Sequence, residues 1–279
     1  MATTVQRLGA ISNLVHGFIY FAGEAANQYG ALGLTGRQQY FAGRAAAMGP
    51  VGPGLVVATF YNFNPEVVHA AIPSAWSVAD PARVQQARFA AVADVLAESC
   101  PDADTSELGR AIELAQAMVD GVGDEGKPLA ASNRAVELPD DPILRLWQLV
   151  TVIREWRGDA HVAALGAAAV TGLEALVLHA ATGDVPAAVL RATRAWTEDQ
   201  WQAAVVGLAG RGLVEANGSF TPTGESFRAN IEVATNTASQ LLVDAIGDEP
   251  TTELIELLKP FRLGLLRSGI FGKPLGGTS

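Results

Sequence analysis

The stretch that decides the fold is residues 170–235. It runs VTGLEALVLHAATG (170–183), DVPAAVLRATRAWTEDQWQAAVVGLAGRGLV (184–214) and EANGSFTPTGESFRANIEVAT (215–235). It reads as helix, helix, tight turn, helix, short hairpin, helix. Thr197 stands at an N-cap, where a hydroxyl accepts from an orphan N–H of the first turn. Residues 213–215 and 219–221 are strand candidates joined through Asn217-Gly218. Asn-Gly is a strong hairpin signal because both residues tolerate positive φ. The chain has no other good strand candidates, so a mostly α protein with one small hairpin is expected.

Working outward, the chain looks built twice. Gly30, Thr35 and Gly36 fall on Gly166, Thr171 and Gly172 at a constant offset. GFIYFAGEA (17–25) resembles VIREWRGDA (152–160), and AIPSAWS (71–77) resembles RATRAWT (191–197). Three matches in one order favour two related helical halves, residues 1–125 and 143–279. The segment 126–142 is expected as the linker, because it holds three prolines and lacks helical periodicity. Asp141 with Pro142 marks the start of the next helix, and Asn64 with Pro65 and Asp80 with Pro81 repeat that signature. Leu8, Ile11, Val15, Phe18 and Ile19 form an apolar stripe at the chain's start.

Bulk properties narrow the function classes. The 279 residues are 49% hydrophobic and 17% charged, which suits a folded core rather than disorder. The most apolar stretch, 162–178, is interrupted by Gly166, Gly172 and Glu174, so it is expected as buried helix and no membrane contact is expected. No signal-peptide pattern opens the chain, and the cytoplasm is the expected location. Cys100 is the single cysteine, which excludes an intrachain disulfide and a cysteine-cluster metal site. No histidine pair has the spacing of a helical zinc site, so no metal is expected, and no cofactor is indicated. Net charge is −10, and Lys127, Lys259 and Lys273 are the only lysines. That balance opposes tight nonspecific DNA binding, which draws affinity from Lys and Arg on phosphates.

The second half resembles the MarR-type winged helix. VTGLEALVLHAA is similar to the helix that opens such a domain, and VPAAVLRAT to the first helix of its helix-turn-helix. TEDQWQAAVVGLAGRGLV is similar to the recognition helix, with RGLV leading into the wing. The whole chain also resembles a largely actinobacterial helix-turn-helix family. That likeness is carried by YFAGRAAAMGPVG and WRGDAHVAALGAAAVTGLEALVLHAATG, and it implies no particular activity. The first half lacks RGLV and Asn-Gly after Trp76, so its wing is expected to be lost. The MarR resemblance implies a dimer fused into one polypeptide: a pseudo-dimer that is a monomer, or a homodimer of such chains. It also implies DNA contacts at Thr197, Gln200, Gln202 and Arg211. Against this, Glu198 and Asp199 open the recognition helix at the end that normally meets bases and phosphates.

Other constellations suggest a small-molecule site. His16, Tyr20 and Glu24 recur every four residues, on one face of the first helix. Arg37, Tyr40, Phe41 and Arg44 share a helix face, and two arginines with aromatics suit an anionic or planar ligand. Asp159 and His161 follow Trp156-Arg157-Gly158, but residues two apart do not share a helical face. The expected function is a ligand-responsive regulator, or a small-molecule-binding protein derived from one. Its ligand would sit between the halves near Tyr40, Arg44 and His161. The alternative is an enzyme or a sequestering, resistance-type protein using the same pocket. A protein-interaction module built on the final helix, 254–266, is a third possibility.

Overall fold

The computed structural model describes residues 2–100 and 105–272; Lys273 and the rest of the C-terminus lie outside them. Fifteen α-helices follow one another among the described residues. The first nine are α1 (Thr4–Gly17), α2 (Gly23–Ala31), α3 (Arg37–Ala45), α4 (Pro53–Phe60), α5 (Pro65–Ala71), α6 (Ser74–Val78), α7 (Pro81–Ser99), α8 (Thr105–Asp120) and α9 (Pro128–Arg134). The others are α10 (Pro142–Ala167), α11 (Gly172–Ala180), α12 (Ala187–Arg194), α13 (Glu198–Gly210), α14 (Pro222–Ile246) and α15 (Asp248–Arg267).

Local chemistry starts these helices where the sequence suggests. Asn64, Asp80 and Asp141 accept from first-turn N–H groups, each followed by proline. Thr171 and Thr197 form reciprocal capping boxes with Glu174 and Gln200.

Two apolar cores result. The larger is centred on α10, which packs against α1, α8, α9 and α14. Leu8, Phe18, Phe41, Val92, Met118, Trp147 and Leu258 are all buried in it. Each such side chain contributes about 1.5–3 kcal/mol on leaving water. The smaller core joins α11, α12 and α13 to the start of α14 through Leu176, Leu178, Leu190, Trp201, Leu208, Val214 and Ile231. No single helix among the described residues is long and apolar enough to cross a membrane.

The hairpin wing expected at 213–221 is not formed, and no β-strand exists among the described residues. Val214 and Phe220 make one isolated antiparallel bridge. The reason is local. Between the end of α13 at Gly210 and the start of α14 at Pro222, pairing stops at one bridge: Glu215 N donates to Ser219 O and Thr221 N to Leu213 O, and no further rung is added. Asn217 Oδ1 accepts from Ser219 N at 3.0 Å, and Thr221 Oγ1 donates to Gly212 O at 2.7 Å. Leu213 and Val214, adjacent in sequence, are both buried, whereas a strand would alternate. A winged-helix description therefore does not apply to residues 143–279.

Two further expectations change. Residues 126–142 contain helix α9, and the larger core draws residues from both sides of that segment. The first helix is not continuous. It ends at Gly17, a 3-10 turn spans Phe18–Tyr20, and Glu24 belongs to α2.

Candidate functional site

α11, α12 and α13 form a compact three-helix unit with a tight turn between the last two. Ala195 makes that turn in the left-handed conformation, at φ 60°. The outer face of α13 exposes Glu198, Asp199, Gln202, Ala203, Val206 and Gly207, with Val206 70% exposed. It therefore carries two carboxylates and no lysine or arginine. The Thr197 hydroxyl is used as the helix cap. Gln200 Oε1 accepts from Thr197 N at 3.0 Å, and Gln202 Nε2 donates to Glu198 at 2.9 Å. Arg211 donates to the carbonyls of Ala168 and Ala169 and lies over Phe227, away from that face. Arg191 is paired with Glu198.

The turn of this unit is docked onto the first half of the chain. Asn64 N donates to Arg194 O and Asn64 Nδ2 to Ala195 O, both at 3.0 Å. Trp196 Nε1 donates to Asn62 O at 2.9 Å. Arg37 donates to the carbonyls of Thr193 and Ala192 at 2.6 and 3.2 Å, and the Tyr61 hydroxyl donates to Val170 O. The start of α11 lies so close to Tyr61 that a Cβ at Gly172 would overlap its carbonyl. The Asn64 and Trp196 contacts take up backbone groups of the short turns at 61–64 and 195–197 and of the end of α12.

Behind that contact lies a buried polar cluster. His16 Nδ1 is 2.9 Å from Thr151 Oγ1, and that hydroxyl donates to Trp147 O at 2.9 Å. The Thr151 proton is thus in use, so His16 Nδ1 is the protonated nitrogen and donates. His16 Nε2 then accepts from the Tyr20 hydroxyl at 3.0 Å, and Arg88 Nη2 donates to Tyr20 at 3.4 Å. Burial pushes the His16 pKa well below its ordinary 6.5, outweighing Glu155 only 3.7 Å away, so the ring is neutral. Glu155 Oε2 accepts from Arg154 at 2.6 Å and Arg44 at 3.3 Å. Burial works against its charge, but those two arginines hold its carboxyl well below the usual carboxylate range. Arg44 also lies 4.3 Å from the Phe60 ring centre, and the Tyr20 and Tyr40 rings are 5.3 Å apart. Tyr40 in turn touches Phe63, over which Arg194 of α12 sits at 5.0 Å. The polar cluster and the turn of the three-helix unit thus meet through Tyr40, Phe63 and Arg194.

Of the sequence candidates, His16, Tyr20, Tyr40 and Arg44 come together in this cluster. Arg37 is at the docking contact, and Glu24 is partly exposed on α2. Asp159 Oδ2 instead accepts from Leu129 N and Ala130 N at 3.0 Å each, closing the start of α9. Burial raises its pKa from 3.8 to about 6. His161 Nδ1 is 2.9 Å from Thr235 on α14 and 4.0 Å from Glu232, and burial lowers its pKa from 6.5 to about 4. Asp159 and His161 thus serve different neighbours.

Sequence reasoning missed Arg88, Trp147, Thr151 and Glu155. A signal for them existed. Trp147, Thr151, Glu155 and Asp159 recur every four residues along α10, a polar stripe on a helix that packs on several others. Arg88 falls in line with Val84, Ala91 and Val95, on the buried face of α7.

The model of a family described as "Helix-turn-helix family" matches residues 5–272. No curated protein and no solved structure matches the chain.

Proposed function

The chain belongs to a helix-turn-helix family, and from that premise we propose that it is a ligand-responsive regulator of the MarR-like kind in its order of helices. In this reading α11–α13, within residues 143–279, face DNA. Gln202 and the small residues beside it on α13 meet base edges. A small molecule acts at His16, Tyr20, Tyr40 and Arg44, which residues 1–125 supply. The observation that carries the proposal is the continuous contact from Tyr40 through Phe63 to Arg194 and the turn at Ala195. A ligand that displaces Tyr40 or Arg44 shifts the turn, and binding that favours one position of the turn favours one DNA affinity.

The test is fluorescence anisotropy with DNA from the gene's own upstream region beside a scrambled duplex, across a salt series. Sequence-preferring binding that weakens steeply with salt is the expected outcome. No binding at low salt rejects the regulator.

A second reading is favoured by the charge on α13. Glu198 and Asp199 stand where a recognition helix approaches phosphate; Arg191 is taken up in pairing with Glu198, Arg211 is turned to Glu174 and the Ala169 carbonyl, and no basic side chain on the exposed face of α13 offsets Asp199. In that reading the helix-turn-helix is a scaffold for a sequestering protein or an enzyme. A cleft of about 260 Å3 between Val177, Ala187 and Trp201, lined by no charged side chain, adds room for an uncharged molecule. Retained small-molecule binding in a protein that ignores DNA supports this reading over the first.

A further inference from the structure

Arg88 carries a charge into the interior and meets no carboxylate there. The residue is 1% exposed, and its guanidinium carbon lies 5.0 Å from the centre of the Trp147 ring. Only Nη2 is engaged, with Tyr20; Nε and Nη1 have no hydrogen-bond partner. Among the described residues no acidic group lies within 4 Å of it. Its surroundings share the deficit. The Trp147 indole N–H and both polar atoms of Gln85, one turn earlier on α7, are also buried without partners.

Charge in the cluster is unbalanced in one direction. Arg44, Arg88 and Arg154 stand against Glu155 alone, whose Oε2 already accepts from Arg44 and Arg154. A histidine relieves burial by giving up its proton, as His16 does here, but an arginine has no neutral form in a protein. Gln85 Oε1 is a single unpartnered acceptor against the free donors of Arg88, Trp147 and Gln85 Nε2, so the buried guanidinium still calls for acceptor oxygens from elsewhere.

We propose that Arg88 anchors a site for a small ligand bearing an oxyanion, a carboxylate or a phosphate, whose oxygens take the free donors of Arg88 and Trp147. The Tyr20 and Tyr40 rings stand beside the site, and Tyr40 and Arg44, both partly exposed, form its solvent edge. An arginine is suited to both anions by its planar set of donors. This deepens the ligand-responsive reading and rests on it only for the consequence at the turn; the site itself rests on Arg88 and its neighbours.

The experiment is thermal unfolding of the full chain in a chloride buffer at fixed ionic strength. Inorganic phosphate and acetate are titrated in separate arms, with wild type beside Arg88→Met. In wild type the expected result is a saturable rise in Tm of about 2–4 °C with one or both anions. The arm that responds identifies the class. Arg88→Met in chloride alone is expected to melt at or above wild type, because it removes an unpaired buried charge. It is expected not to respond to either anion, so the two proteins change order as anion is added. No saturable rise in wild type, or an equal rise in Arg88→Met, overturns the proposal.

If Arg88→Met does not fold, the same titrations are followed by tryptophan fluorescence in wild type and Trp147→Phe. A change present only in wild type supports the site, and its absence removes it. Anion binding that leaves DNA affinity unmoved preserves this site and defeats the ligand-responsive regulator. DNA binding without anion binding does the reverse.

Discussion

Glu155 keeps its charge in the interior because Arg44 and Arg154 both donate to one of its oxygens. Glu155→Gln leaves those cations without their counter-charge and is expected to cost about 3–5 kcal/mol, measured by denaturant unfolding. Asp159, one turn further along α10, has the opposite balance. Its carboxyl is raised to about 6 in the fold against 3.8 outside it. A raised acid favours the fold while protonated, so its contribution is complete below the unfolded value and is lost as pH rises through about 6. Asp159→Asn keeps an oxygen for Leu129 N and Ala130 N. Its Tm relative to wild type is therefore expected to climb between about pH 4 and pH 7. His161 works the other way. Its pKa is lowered to about 4 from 6.5, so it stabilises the fold above its unfolded value and that support is lost as pH falls through about 4. His161→Gln is expected to flatten the acid side of the Tm–pH curve; an unchanged acid limb counts against this assignment.

At the scale of elements, helix starts were legible because a cap is a contact between near neighbours in sequence. Asn64, Asp80, Asp141 and Thr197 each act where their spacing puts them. The expected strands do not form because Asn217-Gly218 specifies a turn but not a ladder: pairing ends at the single Val214–Phe220 bridge, with Leu213 and Val214 both turned into the core. The stripe His16, Tyr20, Glu24 was misjudged because the chain leaves α1 at Gly17. Two substitutions probe the helix-turn-helix unit. Gly172→Ala forces a Cβ into the Tyr61 carbonyl and is expected to destabilise by about 1–3 kcal/mol. Ala195→Gly relieves a left-handed alanine, whose cost is roughly 1–2 kcal/mol, and is expected to raise Tm modestly once the greater freedom of glycine in the unfolded chain is offset. Calorimetry of both variants checks the pair, and a loss of stability in Ala195→Gly contradicts the turn geometry.

At the scale of the molecule, the two cores differ in reach. The larger ties together helices from α1 to α15, whereas the smaller holds α11–α13 with the end of α10 and the start of α14. A unit with its own small core, joined to the rest by a few directional bonds, opens below the global unfolding free energy. Hydrogen exchange is expected to show α11–α13 exchanging together, ahead of α1 and the N-terminal part of α10. Asn64→Ala is expected to speed that exchange and leave the larger core unchanged. Uniform exchange across both cores would show that the docking contact does not limit the motion.

The sequence by itself determined the helical class, the caps that begin the helices, the helix–turn–helix order of 172–210 and the acidic start of α13. All of these follow from periodicity and from contacts a few residues apart. Only the tertiary structure decided that Arg88 and Glu155 share a cluster with His16 and Tyr20, that Asp159 closes α9, and that Asn64 holds the turn at Ala195. Those partners lie tens to more than a hundred residues apart, and burial, which sets their protonation and leaves Arg88 with free donors, exists only once the helices have packed.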